Sequence, residues 1–269
     1  MFPELLTAQQ EEVLAQALNA PLYKSTWHVP TYREGDAGDW RITLCPFHLE
    51  HGYVTGMWAV SSMPLLMRRT GDAEGWEVWM SLTPHEIESQ ELACVHAHGH
   101  TVVMGLGMGW VAVNIALNPA VRHVTIIERD PRVVALFELS GALDGLPEEA
   151  RKKLRIVQAD ALEWIPDQPV DFLYVDIWRD LDEPQTLDQM QRIQAQVAAG
   201  TVYFWGQEIK LFAALHDRLD ALRDAPLQML RECAASVTGL PLLVPDDGNY
   251  VAMIEAVMAV RRSRGMSRG

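Results

Sequence analysis

Little in this chain points outside a cell. Its 269 residues include three cysteines, Cys45, Cys94 and Cys233, far apart in sequence. An odd, scattered set excludes a disulfide framework and a zinc site built on paired thiolates, and predicts reduced, buried thiols. No metal site is expected. No apolar run reaches the roughly 18 residues that span a bilayer, and the opening Met1-Phe2-Pro3-Glu4 lacks the basic and apolar regions of a secretory signal. The expectation is a cytoplasmic protein with no membrane partner. Positive charge is also short: 22 Lys+Arg face 36 Asp+Glu, a formal net charge of −14. Arg261, Arg262, Arg264 and Arg268 sit in the last nine residues without a matching acid, so residues 1–260 carry 18 − 36 = −18. Such a body repels phosphate backbones, which disfavours a nucleic acid partner. At 49% hydrophobic and 22% charged, with 18 Gly and 15 Pro, the composition is that of a globular chain, not of a disordered, collagen-like or coiled-coil one.

The texture changes near residue 100. Before it, Thr7 and Gln10 form a capping box for a helix with an apolar stripe of Val13, Leu14, Ala17 and Leu18. Short strands are expected at 40–45, 53–60 and 76–80, between Gly, Asp and Pro punctuation. Thr83-Pro84-His85-Glu86 places N-cap, first-turn proline and capping-box acid in order, predicting a helix to about Ala97. From Thr101 onward, strands at 101–104, 123–128, 154–158, 170–176 and 201–205 alternate with helices at 108–117, 131–140, 161–165 and 184–198. That alternation predicts βαβ crossovers and a doubly wound, mostly parallel α/β sheet. Helices from 206 to about 223 and from 249 to 262 complete the expectation. Residues 1–98 would form a small helix plus antiparallel β region serving as lid and substrate wall, 99–260 the binding domain, and 261–269 a flexible basic tail.

Gly105-Leu106-Gly107-Met108-Gly109 joins the first parallel strand to its helix, where three glycines let backbone turn tightly and approach a ligand. Glu128 ends the next strand, 23 residues on, where an acid accepts hydrogen bonds from ribose hydroxyls. The dinucleotide fingerprint wants Gly or Ala at position 110, and Trp110 there disfavours NAD. Asp160, in Gln158-Ala159-Asp160-Ala161, stands where an acid can accept an adenine amine, and Asp176 ends the fourth strand.

In these stretches, and in Val124-Thr125-Ile126-Ile127-Glu128-Arg129-Asp130-Pro131 and Asp171-Phe172-Leu173-Tyr174-Val175-Asp176, the chain resembles class I S-adenosylmethionine (SAM) dependent methyltransferases, and among them the spermidine synthase-like branch. The resemblance covers residues 101 to about 208 and implies a Rossmann-like fold. It also implies SAM as cofactor: Gly105, Gly107 and Gly109 would line its methionine and ribose, Glu128 would hold the ribose, Asp160 with Ala161 the adenine, and Asp176 would face the reacting centre. A homodimer is a further implication. The branch's GGGDG loop has its acid at a position that is Met108 here; Asp180 could take the place of the second aspartate with which the branch holds a polyamine, with Arg179 beside it repelling a polycation.

The expected activity is transfer of a methyl group from SAM to a small-molecule amine or hydroxyl, with Asp176 orienting or deprotonating the nucleophile. The alternatives are aminopropyl transfer from decarboxylated SAM, cyclisation of SAM's aminocarboxypropyl arm, or a SAM-binding subunit without catalysis. Several residues carry two readings. Asp176 is either the reacting-centre acid or an ion-pair partner of Arg179. Glu86 is a capping-box acid or a pocket residue, and His85 and Glu88 share a helix face that meets either substrate or solvent. Trp178 is a substrate wall or simple packing. Glu208 contacts substrate or starts a helix whose dipole favours an acid.

Overall fold

The computed structural model describes residues 5–71 and 75–265. The opening tetrapeptide and Arg268 of the basic tail lie outside them. Helix α1 (Ala8–Ala17) begins at the expected capping box, in which Thr7 and Gln10 satisfy each other's backbone N–H groups. Its apolar stripe faces outward: Val13, Leu14 and Leu18 are exposed. The helix docks instead by small residues, Ala15 packing with Ala20 and Ala59 where two backbones come close.

Four antiparallel strands follow, β1 (Gly35–Ala37), β2 (Trp40–His51), β3 (Met57–Arg69) and β4 (Trp76–Ser81), paired in chain order. The strand expected over 53–60 straddles the β2–β3 turn, which Gly52 closes by donating its N–H to the Gly56 carbonyl at 3.0 Å. Between β3 and β4 the register slips, Leu66 facing Met80 while Met67 faces Val78. Trp79 is thus the extra residue of a β-bulge, a device that re-aims side chains.

Helix α2 (Pro84–His96) leads into β5 (Gly99–Met104), and then come α3 (Trp110–Leu117), β6 (Val121–Glu128), α4 (Pro131–Leu139), α5 (Glu148–Lys153), β7 (Leu154–Gln158), β8 (Phe172–Val175), α6 (Thr186–Val197) and β9 (Thr201–Phe204). The five strands form one parallel sheet in the order β7-β6-β5-β8-β9. Every residue of β5 is buried, because helices cover both faces. Val103, Ile126, Tyr174 and Tyr203 pack on one face with residues of α2, α3 and α4. Val102, Met104, Leu173 and Val175 pack on the other with Met190, Ile193 and Val197 of α6. This is the doubly wound Rossmann-like α/β arrangement. The expected helix at 161–165 is absent: residues 161–163 make a turn, held by Asp160, which accepts the Leu162 N–H at 2.8 Å.

The chain ends in a helical layer, α7 (Gln207–Leu215), a 3-10 turn at His216–Arg218, α8 (Leu219–Arg223), α9 (Leu227–Thr238) and α10 (Tyr250–Ser263). The expected flexible tail does not begin at 261. Helix α10 continues to Ser263, because Arg261 is tied to Asp182 at 2.9 Å and Arg264 to Glu50 at 2.9 Å.

Candidate active site

The strand order reverses between β5 and β8, the place where an open parallel sheet leaves a crevice at its carboxyl edge. Here a cavity of ≈ 1400 Å³ opens between that edge and the wall formed by β3, β4 and α2. The glycine loop lies on its floor. Gly105 has φ +95°, and a Cβ there would run into the Asp176 carbonyl, so the loops leaving β5 and β8 cross in contact only because position 105 has no side chain. Gly109, at φ +80°, begins α3 against the Phe137 ring. Gly105, Gly107 and Gly109 all line the cavity.

Glu128 stands at the end of β6 facing this loop. Its carboxylate accepts the Leu106 N–H at 3.1 Å and the Asp130 N–H at 2.8 Å, one bond on each oxygen, which fixes it while leaving acceptor capacity on both. Asp160, Ala161 and Trp178 also line the cavity. Trp178 is pinned by its indole N–H to Gln189 at 2.6 Å and lies edge-on to Phe204. Trp110 is 2% exposed and packs edge-on against Trp27, so its indole belongs to the cavity's back wall.

Asp176 follows β8, its N–H donated to the Met104 carbonyl at 2.8 Å. Its side chain accepts the Gln90 amide at 3.1 Å, and the same amide nitrogen donates to Glu86 at 2.6 Å. Burial lifts the Asp176 carboxyl to about 7, against the lowering effect of Tyr174. Burial, and then the Asp176 charge, lifts Glu86 well above the ordinary carboxylate range. The rival partner of Asp176 is engaged elsewhere: Arg179 pairs with Glu77 of β4 at 3.1 Å.

The first turn of α2 reads differently from its sequence signature. The Thr83 hydroxyl accepts the Glu86 N–H at 3.2 Å, but the Glu86 carboxyl turns toward Gln90 and the cavity. His85 also lines the cavity, edge-on to Tyr53. Burial first, then Arg264 and Arg261, lower its pKa to about 4, so its imidazole is neutral at neutral pH.

Two of the expected substrate residues are placed elsewhere. Glu88 is buried under the β2–β3 turn, accepting the Val54 and Thr55 N–H groups at 2.9 and 3.3 Å and the Thr55 hydroxyl at 2.6 Å. Glu208 is wholly buried and bonds the hydroxyls of Tyr53 at 2.9 Å and Tyr250 at 2.8 Å, with Tyr203 at 3.3 Å. Neither contributes to the cavity wall. Residues not singled out from the sequence do so: Tyr174, Trp79, Met80 and Arg68. The β-bulge at Trp79 gives no signal in composition or spacing.

No protein-family profile matches the chain. Among curated proteins it is similar to polyamine aminopropyltransferases 2 and 1 of Ralstonia nicotianae, 34% identical to each over 76 residues. That match spans 28% of this chain and only 15% and 14% of those proteins. Among solved structures, part of it overlaps a glycopeptide N-methyltransferase complexed with S-adenosylhomocysteine (20% identity, TM-score 0.33, 41% of this chain and 43% of that one). It overlaps a putative RNA methyltransferase of Pyrococcus horikoshii (18%, 0.36, 49% and 64%). A putative SAM-dependent methyltransferase of Methanococcus maripaludis is a third such likeness (13%, 0.35, 55% and 72%).

Proposed function

We propose that the protein is a SAM-dependent transferase that moves a methyl group to a small-molecule amine or hydroxyl. The observation that carries this reading is Asp176, a carboxyl held by Gln90 at the strand-order reversal, facing a cavity that the glycine loop and Glu128 also line. The residues fit the cofactor: the backbone at Gly105 leaves no room for a Cβ, and Glu128 keeps acceptor capacity on both oxygens. Glu128 would hold the ribose, Asp160 and Ala161 the adenine, and Gly105, Gly107 and Gly109 the remainder. SAM bound there supplies a carbon on a sulfonium, so that the acceptor's lone pair forms the new bond as the carbon–sulfur pair returns to sulfur as a neutral thioether. Asp176, ionised, takes the proton that the acceptor loses. His85, on the side formed by the N-terminal 98 residues, and Trp178, after β8, would wall the acceptor.

Aminopropyl transfer from decarboxylated SAM is the second reading, and the 76-residue likeness to polyamine aminopropyltransferases favours it. One experiment separates the two. Purified protein is incubated with SAM, or with decarboxylated SAM, and a panel of amines and hydroxyl compounds, and products are identified by mass. Methylated product with S-adenosylhomocysteine supports the first reading, and aminopropylated product with methylthioadenosine the second. NAD binding without any SAM binding overturns both.

A further inference from the structure

Glu86 is the strongest group that the proposed reaction leaves unused. It is 8% exposed, it lines the cavity, and its carboxyl shares one donor with Asp176, the Gln90 amide, at 2.6 and 3.1 Å. The NH2 of Gln90 has two hydrogens, one for each carboxyl. Two carboxylates so close in a buried place do not both ionise. Resting on the functional reading above, we propose that Glu86 is a positioning residue for Asp176: it keeps a proton of its own and, through the Gln90 amide, fixes the Asp176 carboxyl so that the pair presents a single negative charge, on Asp176, to the acceptor.

The surroundings favour this division. Glu86 Oε1 accepts from Gln90, leaving Oε2 to carry the proton. Asp176 is the more exposed residue of the two, being partly buried where Glu86 is buried. Tyr174 on β8 feels both carboxyls of the pair and, beyond them, Cys94 later in α2 and Glu208 on α7; His85, beside Glu86 on α2, is backed by Arg261 and Arg264 of the chain end. Burial holds Tyr174 and Cys94 protonated, and His85 is neutral above about pH 4. Glu208 is raised by burial and answers to its tyrosines. Near neutral pH the titration of the cavity therefore belongs to Asp176, in keeping with its value of about 7.

The direct test is NMR titration of protein labelled with 13C at the Asp and Glu carboxyl carbons, the two signals assigned by their loss in Glu86→Gln and Asp176→Asn. The expected result is a Glu86 signal that stays at its protonated position from pH 5 to 8 while that of Asp176 moves. A Glu86 signal already ionised at pH 6 overturns the proposal, whether or not any transfer is detected. Given activity, Glu86→Leu is expected to lower kcat by roughly 10- to 100-fold with little change in the SAM KM. Glu86→Gln, which keeps the shape and neutrality of the protonated acid, is expected to recover most of that loss with the acid limb of the pH profile in its wild-type place. An acid limb displaced by about one pH unit or more to lower pH in Glu86→Gln means that a negative charge has been removed, and overturns the proposal. Failure of SAM to act as donor in the wild type falls on the functional reading, and the NMR result still decides where the proton sits.

Discussion

Asp176 joins two demands that pull in opposite directions. Its carboxyl titrates near 7 because burial penalises the charged form, so the folded protein holds its proton more tightly than the unfolded chain does. A folded-state pKa raised above the unfolded value contributes stability that is complete below about pH 4 and is lost as pH rises through about 7. Asp176→Asn removes that dependence. Thermal melts of ligand-free protein should show the variant more stable than wild type at pH 8, the gap narrowing as pH falls toward 4; a constant gap would mean that Asp176 does not titrate in this window. The same substitution should lower turnover by roughly 10² or more while keeping SAM affinity within a few-fold. More stable and less active is the mark of a group retained for chemistry. Glu128 answers differently. Glu128→Ala should weaken S-adenosylhomocysteine binding by about 1.5 to 3 kcal/mol, the range for hydrogen bonds to a charged group. Calorimetry reads this, and unchanged affinity would move the ribose away from β6.

At the scale of elements, two buried acids act as joints. Glu88 fastens α2 to the β2–β3 turn by accepting two backbone N–H groups and a hydroxyl, and Glu208 gathers tyrosines from that turn, from β9 and from α10. Removing either leaves buried donors without acceptors. Glu88→Ala is expected to lower unfolding stability by roughly 1 to 3 kcal/mol in urea melts without altering SAM affinity in the folded fraction. A loss of affinity as large as that of Glu128→Ala would return Glu88 to the cavity. These joints mark the limit of what the sequence discloses. The alternation of apolar runs and helical stripes is a local signal, so the parallel strands, the loop at Gly105 and the acids at strand ends were legible. Whether an acid on α2 faces a cavity, a turn or solvent depends on what packs over it. His85, Glu86 and Glu88 lie within one turn of helix yet meet, respectively, Tyr53, Gln90 and Thr55. The outward stripe of α1 and the bulge at Trp79 escaped for the same reason, since both are set by contacts between elements.

For the molecule as a whole, the proposed function turns on whether its acceptor is small or a nucleic acid, and net charge is the first consideration. A protein of formal charge −14 repels phosphate at long range, although a local basic patch can override that field. Most of the arginines lining the cavity are engaged by acids: Arg179 is paired with Glu77, Arg132 with Asp130 and Asp39, Arg261 with Asp182 and Arg264 with Glu50, while Arg68 lies over the rings of Trp40 and Trp79 and Arg129, exposed, has no acid partner among the described residues. Phosphate neutralisation would have to break most of these pairs, and binding built on it falls steeply with salt, the logarithm of affinity changing, for each tenfold rise in salt, by about −0.9 per phosphate contacted on duplex DNA and about −0.7 on single strands. Filter binding with bulk transfer RNA and ribosomal RNA should therefore show no saturable complex up to about 10 µM protein even at roughly 50 mM salt, weaker than the ordinary non-specific range of nucleic-acid binding proteins. Turnover of a small-molecule acceptor should in turn be nearly independent of ionic strength, since its binding relies on a cavity and not on counterion release. A saturable RNA complex that dissolves between about 50 and 200 mM salt, with methyl groups recovered on the RNA, would overturn the small-molecule reading and assign the rim arginines to a phosphate backbone.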